Sequence, residues 1–262
     1  MAERFNAPFA AELWAARLAG TTVAKPTPLD IDAIGNGYRT QAHIVSRSNE
    51  KHVGWKVGST SAQAQARLGT NEPGAGALLA QFCYPNNAQI PVSPAHGVFV
   101  EAEFVLELGS TLTPQLAPFS LAQVSACVRA IRPGLEFVGS RFEGGLSNIG
   151  RALITADGGG NVAFTCGEPV TQWRDFDLPG APATLWLNGL AVEHGTGERA
   201  LGSPLNVLLW LANHLSARGI DLEAGELVST GTCTGLVSVT PGDVVIGDFG
   251  SLGNVQATLC QA

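Results

Sequence analysis

Three glutamates lie in stretches that otherwise have the composition of buried β-strands. Glu101 and Glu103 stand two residues apart in Val-Glu-Ala-Glu-Phe-Val-Leu at 100–106, and Glu136 lies in Gly-Leu-Glu-Phe-Val at 134–138. A carboxylate in an apolar strand is costly unless it is paired or bound to a cation. Because side chains alternate along a strand, Glu101 and Glu103 share one face. A third acid from a neighbouring strand would complete an all-oxygen site for a hard divalent cation.

The acidic pattern has a second interpretation, because half-exposed strands commonly carry alternating acids neutralised by nearby basic residues. Spacing does not establish that the three acids converge, so a metal site and a solvated strand face both remain open on the residues alone.

Lys56 is a second candidate for chemistry, since it lies among glycines and hydrophobic residues in Gly-Trp-Lys-Val-Gly at 54–58. We infer that its ammonium is partly buried and needs an anion. The alternative is a lysine whose stem packs on Trp55 while its ammonium reaches water.

Other motifs point away from several classes of site. The turn at 231–235 has N–H groups and hydroxyls suited to a carboxylate, although an ordinary loop has the same composition. The Gly-rich segments at 58–76 and 158–160 lack the spacing of Walker or dinucleotide-binding motifs. The five histidines show no metal-ligand spacing, and no Gly-x-Ser-x-Gly elbow is present.

The composition is that of a globular protein, with 262 residues, 45% hydrophobic and 14% charged. A net charge of −7, with 15 scattered lysines and arginines, argues against a nucleic-acid partner. Five widely spaced cysteines without a Cys-x-x-Cys pair favour reduced thiols. The first 18 residues lack a signal-peptide pattern, and the apolar runs are too short to span a membrane. We therefore expect a cytoplasmic protein without a membrane partner.

Periodicity and punctuation predict an α+β fold. Two N-terminal helices, at Phe9–Leu18 before Gly20 and at about Asp30–Arg47, are expected to form a helical cap over residues 1–50. The other predicted elements are a strand at Val53–Val57, a helix at Ser61–Leu68, a mobile Gly-rich loop at Gly69–Gly76, an acidic strand at Phe99–Leu108, a helix at Leu121–Ile131 with a Ser120/Gln123 capping box, the Glu136 strand, a helix from Ser203-Pro204 to Gly219, and strands at Leu227–Val228, Val237–Val239, Val244–Phe249 and Val255–Leu259.

Five motifs occur in a recognisable order: Gly-Trp-Lys-Val-Gly at 54–58, Val-Glu-Ala-Glu at 100–103, Leu-Glu-Phe-Val-Gly-Ser-Arg at 135–141, Leu-Gly-Ser-Pro-Leu at 201–205 and Pro-Gly-Asp at 241–243. Together they resemble the 2-keto-4-pentenoate hydratases, in the hydratase/decarboxylase branch of the fumarylacetoacetate hydrolase superfamily. The likeness covers essentially the whole chain. It implies a mixed β-roll with an N-terminal helical cap, in which residues 51–262 form one metal-binding catalytic unit.

The resemblance also implies a Mg²⁺ or Mn²⁺ site formed by Glu101, Glu103 and Glu136, with Lys56 in the active site. A 2-oxo acid can chelate such an ion, which stabilises an enolate as a Lewis acid. Lys56 would hold a substrate oxygen or the developing negative charge.

The chain departs from the family in its loop at 70–76, where Asn71 and Gly74 stand in place of two aspartates. Glu72 is the acid left in that loop, and Asp157 is retained from a second family motif, so we expect these two residues and Lys56 to be catalytic. The expected substrate-binding residues are Ser140, Arg141, Thr230 and Gly231.

The favoured function is a metal-dependent lyase that hydrates a 2-hydroxy-2,4-dienoate to a 4-hydroxy-2-oxo acid in aromatic-compound catabolism. Because the altered loop weakens the hydratase case, decarboxylation of an oxalocrotonate-like 2-oxo diacid follows closely. An acylpyruvate hydrolase is disfavoured, since the His-Glu pair of such hydrolases is not found, and a degenerate binding protein remains the non-enzymatic alternative. The resemblance further implies a small 2-oxo or 2-hydroxy-dienoic acid substrate and a homo-oligomer.

Overall fold

The computed structural model describes residues 3–26 and 34–262, which form helices around two β-sheets. The helices are α1 Glu3–Ala19, α2 Ile34–Ser48, α3 Ala62–Arg67, α4 Leu121–Cys127, α5 Arg151–Ala156 and α6 Pro204–Ser216. The strands are β1 His52–Gly58, β2 Gly74–Leu79, β3 Cys83–Tyr84, β4 Ala88–Val92, β5 Phe99–Leu108, β6 Val128–Val138, β7 Asn161–Cys166, β8 Pro182–Leu187, β9 Leu190–Thr196, β10 Leu227–Ser229, β11 Val237–Ser238, β12 Val244–Asp248 and β13 Asn254–Gln261.

The larger sheet has the order β2-β1-β10-β5-β6-β7-β3, with β11 beside β5, and the smaller has the order β4-β13-β12-β8-β9. Both parallel and antiparallel pairs occur, so the prediction of a mixed sheet is confirmed. Among the described residues, no helix combines the length and apolar character needed to cross a membrane.

Strand β5 separates the main core from the acidic residues, and its bounds agree with the prediction. One face carries Val100, Ala102, Phe104, Leu106 and Leu108, all of which belong to the main hydrophobic core. The Phe104 ring meets Phe249 edge-on, with the ring centroids 4.9 Å apart, and so links the two sheets. The opposite face carries Glu101 and Glu103, as the period of two requires.

The N-terminal helices pack on α5 and thereby position it. Leu13 of α1 and Leu153 of α5 belong to a second hydrophobic cluster, separate from the main core. Gly37 lets α2 approach α5 closely, because a Cβ at this position would lie 2.4 Å from the Ala152 carbonyl oxygen. Helix α1 begins six residues before its predicted start, and the predicted start of α2 lies outside the described residues.

Two predicted elements differ from the structure. Helix α4 has the expected capping box but ends at Cys127, because the next residues pair with β5 as strand β6, where Val128 lies opposite Leu108. Pairing of β-branched residues with a central strand outweighs their local helical spacing. The prediction of a mobile loop at Gly69–Gly76 is wrong for its last three residues. Gly74–Gly76 are buried and begin strand β2, which pairs with β1.

Candidate metal centre and its cavity

Strand pairing brings the three separated acids into one cluster. Glu101 lies opposite Glu136 in the β5–β6 ladder, and Glu103 lies two residues further along β5. One carboxylate oxygen from each residue lies within 4.8 Å of those of the other two. Glu103 and Glu136 have no exposed surface, and Glu101 is 9% exposed. The acids therefore converge inside the protein and do not form a solvated strand face.

Two of the carboxylates are held by hydrogen bonds on one oxygen only. Glu103 Oε2 accepts from the Ser229 hydroxyl at 2.5 Å and from the Gly231 N–H at 3.0 Å, while Glu136 Oε1 accepts from Asn161 Nδ2 at 2.9 Å. Of the other oxygens, Glu103 Oε1 accepts no hydrogen bond from any described residue, whereas Glu136 Oε2 lies 3.2 Å from the Lys56 ammonium. Oriented carboxylates with an unsatisfied buried oxygen are the arrangement expected of metal ligands.

Lys56, on β1, supplies one positive charge to the cluster. Its Nζ lies 3.2 Å from Glu136 Oε2 and donates a hydrogen bond to the Gly159 carbonyl at 3.0 Å. Burial by itself lowers the pKa of Lys56, but the negative charges of the three glutamates outweigh this effect and raise it. The ammonium is therefore charged at neutral pH.

The glutamates carry more negative charge than Lys56 can balance. Burial raises the pKa of Glu101 to about 7 and raises the pKa of Glu103 well above its ordinary value. Repulsion from Glu136 adds to both shifts. Carboxylate oxygens are the donors that hard divalent cations prefer, and a dication would supply the missing positive charge. The donor set and the electrostatics thus fit a hard divalent cation.

A cavity of about 400 Å³ opens beside the cluster. Lys56 and Glu101 contribute to its wall together with Ser59, Gly74 and Arg151. Apolar side chains complete the wall, among them Phe99, Val138, Leu146, Ile149, Ile154 and Leu236. A largely apolar cavity with a few polar groups is typical of a site for a small molecule.

Arg141 and Asp157 bind each other and do not line this cavity. Arg141 Nε donates to Asp157 Oδ1 at 2.6 Å, and its backbone N–H donates to Oδ2 at 2.9 Å. The guanidinium also donates to the Asn161 carbonyl at 2.9 Å. The pair thus supports Asn161, which in turn holds Glu136. The geometry does not support the predicted substrate contact of Arg141 or a direct catalytic role of Asp157, because each neutralises the other's buried charge.

The other predicted substrate-binding residues are also engaged within the protein. Thr230 Oγ1 donates to the Phe104 carbonyl at 2.8 Å, and the Gly231 N–H is taken by Glu103. The Ser140 hydroxyl accepts the N–H of residue 142 at 3.0 Å. These contacts shape the backbone around the cluster and leave the predicted substrate contacts without support from the geometry.

Glu72 is half-buried in the turn before β2 and does not line the cavity. Its charge opposes the lowering of the Arg151 pKa that burial causes, and because Arg151 is in the cavity wall, Glu72 lies near the cavity without facing it. Of the ten residues predicted for the site, the structure brings together the three glutamates, Lys56 and Gly231, whose N–H donates to Glu103.

Three residues of the site were not predicted from the sequence: Ser229, Asn161 and Arg151. No local pattern marks Ser229 or Asn161, because only the folded sheet and its flanking loops bring them to the glutamates. Arg151 does have a signal, since it is the only charged residue in the apolar stretch 149–156.

Comparisons with known proteins agree with this geometry. The family model described as "Fumarylacetoacetate (FAA) hydrolase C-terminal" matches residues 86–259. A 2-keto-4-pentenoate hydratase of Burkholderia vietnamiensis (strain G4 / LMG 22486) is 32% identical over 263 residues, covering 97% of each chain. A 4-oxalocrotonate decarboxylase of Pseudomonas putida is 31% identical over 226 residues, covering 85% of this chain and 84% of the relative.

A solved structure is similar over almost the whole fold. It is the 4-oxalocrotonate decarboxylase from Pseudomonas putida G7, complexed with magnesium and adipate. The two structures have a TM-score of 0.87 at 27% sequence identity, and the match covers 95% of both chains.

Proposed function

Because the chain belongs to the fumarylacetoacetate hydrolase family, we propose that it is a divalent-metal-dependent lyase that hydrates a 2-hydroxy-2,4-dienoate to a 4-hydroxy-2-oxo acid. The observation that carries this proposal is the buried cluster of three glutamates beside a buried lysine at a cavity, in which Glu103 Oε1 has no hydrogen-bond partner among the described residues. Full-length similarity to a 2-keto-4-pentenoate hydratase supports the reaction, and the magnesium complex of the decarboxylase supports a divalent cation. Mg²⁺ or Mn²⁺ is the ion we propose.

Glu101, Glu103 and Glu136 would hold the cation, which supplies Lewis-acid stabilisation of negative charge on a 2-oxo oxygen. The hydrogen bonds from Ser229 and Gly231 fix the Glu103 carboxylate, and the amide of Asn161 fixes Glu136. Ligands oriented in this way need little rearrangement when the site is filled.

Lys56 acts through its charge. Its ammonium has three donors, and only two are used by Glu136 and Gly159, so one remains for a substrate oxygen. The glutamates raise the pKa of Lys56 in the metal-free cluster, and as an ammonium Lys56 would stabilise negative charge that develops on the substrate. Glu72 does not line the cavity, so its proposed role in proton transfer rests on the resemblance of its loop and not on the geometry, whereas Asp157 acts indirectly by positioning Arg141.

Decarboxylation of an oxalocrotonate-like 2-oxo diacid is the second candidate, and a specific observation favours it. The buried cation Arg151 in the cavity wall suits a substrate with an additional negative charge. The same metal centre would stabilise the enolate left after loss of CO₂.

The reaction is tested by incubating the Mg²⁺-loaded protein with 2-hydroxypenta-2,4-dienoate and, separately, with 2-oxohex-3-enedioate. Formation of a 4-hydroxy-2-oxo acid supports hydration, and CO₂ release supports decarboxylation. Samples treated with a chelator serve as controls and are expected to be inactive. The lyase proposal fails if neither substrate changes in the presence of Mg²⁺ or Mn²⁺.

The organisation of the whole protein is also a proposal. We propose that residues 1–50 form a cap on the catalytic unit 51–262, and that the protein is a cytoplasmic homo-oligomer in aromatic-compound catabolism. Packing of α1 and α2 on α5, whose first residue is Arg151 in the cavity wall, supports the role of the cap.

A further inference from the structure

Arg151 is a buried cation in the wall of the cavity. It is 7% exposed, its Nη1 donates a long hydrogen bond to the Ser59 hydroxyl at 3.4 Å, and the Tyr38 side chain lies close enough to stabilise its charge. Its Nε and Nη2 have no hydrogen-bond partner among the described residues, and no ion pair recorded there includes it. Burial is the main cause that lowers the pKa of Arg151, while nearby Tyr38 and Glu72 oppose this shift. A buried guanidinium without an anion is costly.

Gly74 provides the space that the guanidinium occupies. A Cβ at residue 74 would lie 1.8 Å from Arg151 Nη2 and 2.2 Å from Cζ, so any side chain here would displace the guanidinium. Gly74 pairs with Gly58 across the β1–β2 ladder. The guanidinium therefore lies over a part of the sheet that carries no side chains.

The same ladder places Arg151 within reach of the metal centre. Gly58 follows Lys56 by two residues on the same face of β1, and a Cβ on Gly58 would lie 3.2 Å from Lys56 Nζ. Cβ positions directly opposite in a ladder are about 5 Å apart, so the Lys56 ammonium and the Arg151 guanidinium are separated by at most about 10 Å. One small molecule can therefore contact both ends of this space.

The chemistry of this part of the wall favours an anion. Its charged residues besides Arg151 are Lys56, Arg67 and Glu101, and the one acid belongs to the metal cluster. The unpartnered Nε and Nη2 of Arg151 form one edge of the guanidinium plane. Both atoms are covered by protein atoms, so a carboxylate in the cavity contacts them after a small shift of the side chain, and its two oxygens then match two parallel N–H donors.

We propose that Arg151 binds a second carboxylate at the distal end of the substrate, so that the cavity selects 2-oxo dicarboxylates over 2-oxo monocarboxylates of the same length. The proposal rests on the proposed function, because the metal centre must hold the 2-oxo end. Arg151 is then a residue that determines substrate specificity, and Gly74 is required for its position.

The test measures binding without turnover. The Mg²⁺-loaded protein is titrated by calorimetry with 2-oxoadipate and with 2-oxohexanoate, which differ only in the terminal carboxylate. We expect the wild-type protein to bind 2-oxoadipate about 100-fold more tightly, equivalent to about 2.8 kcal/mol. Arg151→Met should reduce this preference to about threefold or less by weakening 2-oxoadipate binding alone. Equal affinities in the wild type, or an unchanged preference in the variant, would overturn the proposal.

Further variants separate this effect from misfolding and from net charge. Gly74→Ala should reduce the preference although Arg151 is retained, and Arg151→Lys should keep part of it. The control Arg47→Met removes the same charge from an exposed position on α2 and should leave the preference intact. Retained binding of 2-oxohexanoate shows that a variant is folded. If the wild-type protein binds both acids with equal affinity, the proposed carboxylate site at Arg151 is refuted while the metal centre stands. If it binds neither acid, the proposed metal centre is refuted as well.

Discussion

Replacing Glu103 by glutamine removes one negative charge from the acidic cluster while nearly preserving the side chain's shape. The Ser229 hydroxyl and the Gly231 N–H can still donate to the remaining amide oxygen. The amide NH₂ then occupies the position of Oε1, which has no hydrogen-bond partner in the described part of the chain. A donor thus faces the proposed cation where an anionic ligand stood before.

The size of the effect follows from the charges and their separation. Two unit charges about 4 Å apart interact by about 4 kcal/mol at an effective dielectric constant near 20. Relief of repulsion among the carboxylates offsets part of the lost attraction, so we expect Mg²⁺ affinity to fall by roughly 100- to 1,000-fold. The metal-free protein should become more stable, because burial raises the pKa of Glu103 and makes its charged form unfavourable.

The assay combines Mg²⁺ titration calorimetry with thermal unfolding of chelator-treated protein, with and without added Mg²⁺. For Glu103→Gln we expect a higher Tm without metal and a smaller rise in Tm on adding Mg²⁺. At this chain length a change of 1 kcal/mol corresponds to a shift in Tm of about 2–4 °C.

Glu107→Gln is a matched control on the same face of β5. Glu107 is buried like Glu103, but it forms ion pairs with Arg132, at 2.8 Å, and with Arg129. Its replacement should lower Tm without metal and leave Mg²⁺ affinity unchanged. The reasoning is refuted if Glu103→Gln keeps wild-type Mg²⁺ affinity, or if both variants shift Tm in the same direction.

Three further predictions concern single side chains. Lys56→Met should lower kcat at least 100-fold with Mg²⁺ still bound, and near-normal turnover would remove Lys56 from the mechanism. Asn161→Leu removes the hydrogen bond that holds Glu136 and should weaken Mg²⁺ binding about 10- to 100-fold. An unchanged Mg²⁺ affinity in titration calorimetry would contradict this prediction. Burial, aided by the charge of Arg141, lowers the pKa of His96 to about 4. The unfolded chain therefore binds more protons below pH 6.5, and stability should fall by up to about 3 kcal/mol from pH 6.5 to 4. Denaturant unfolding should show a flatter pH profile for His96→Gln, and an unchanged profile would contradict the assignment.

Much of the local structure could be predicted because its causes are close in the sequence. The capping box of Ser120 and Gln123 marks the start of α4, and Ser203 with Pro204 marks the start of α6. The alternation of β5 places both of its glutamates on one face. Each of these features depends on side chains within a few residues of one another.

Predictions failed where contacts across the chain outweigh local preference. Helix α4 ends before Val128 because the following residues complete a ladder with β5, and Gly74 lies in a strand because β1 pairs with it. Arg141 and Asp157 pair with each other and do not line the cavity, so the roles predicted for them still rest on the resemblance alone.

The sequence by itself determined which side chains are available: two acids on one face of a strand, a third acid in another strand, and a lysine among glycines. Only the tertiary structure decided that these four meet, because the register of β5 with β6 and the position of β1 depend on pairing between distant segments. It also placed the guanidinium of Arg151, which forms no ion pair with any described residue, over Gly74 in the wall of the same cavity. Residue types thus limit the possible chemistry, while long-range pairing and packing determine which residues share a site and which charges lack a partner.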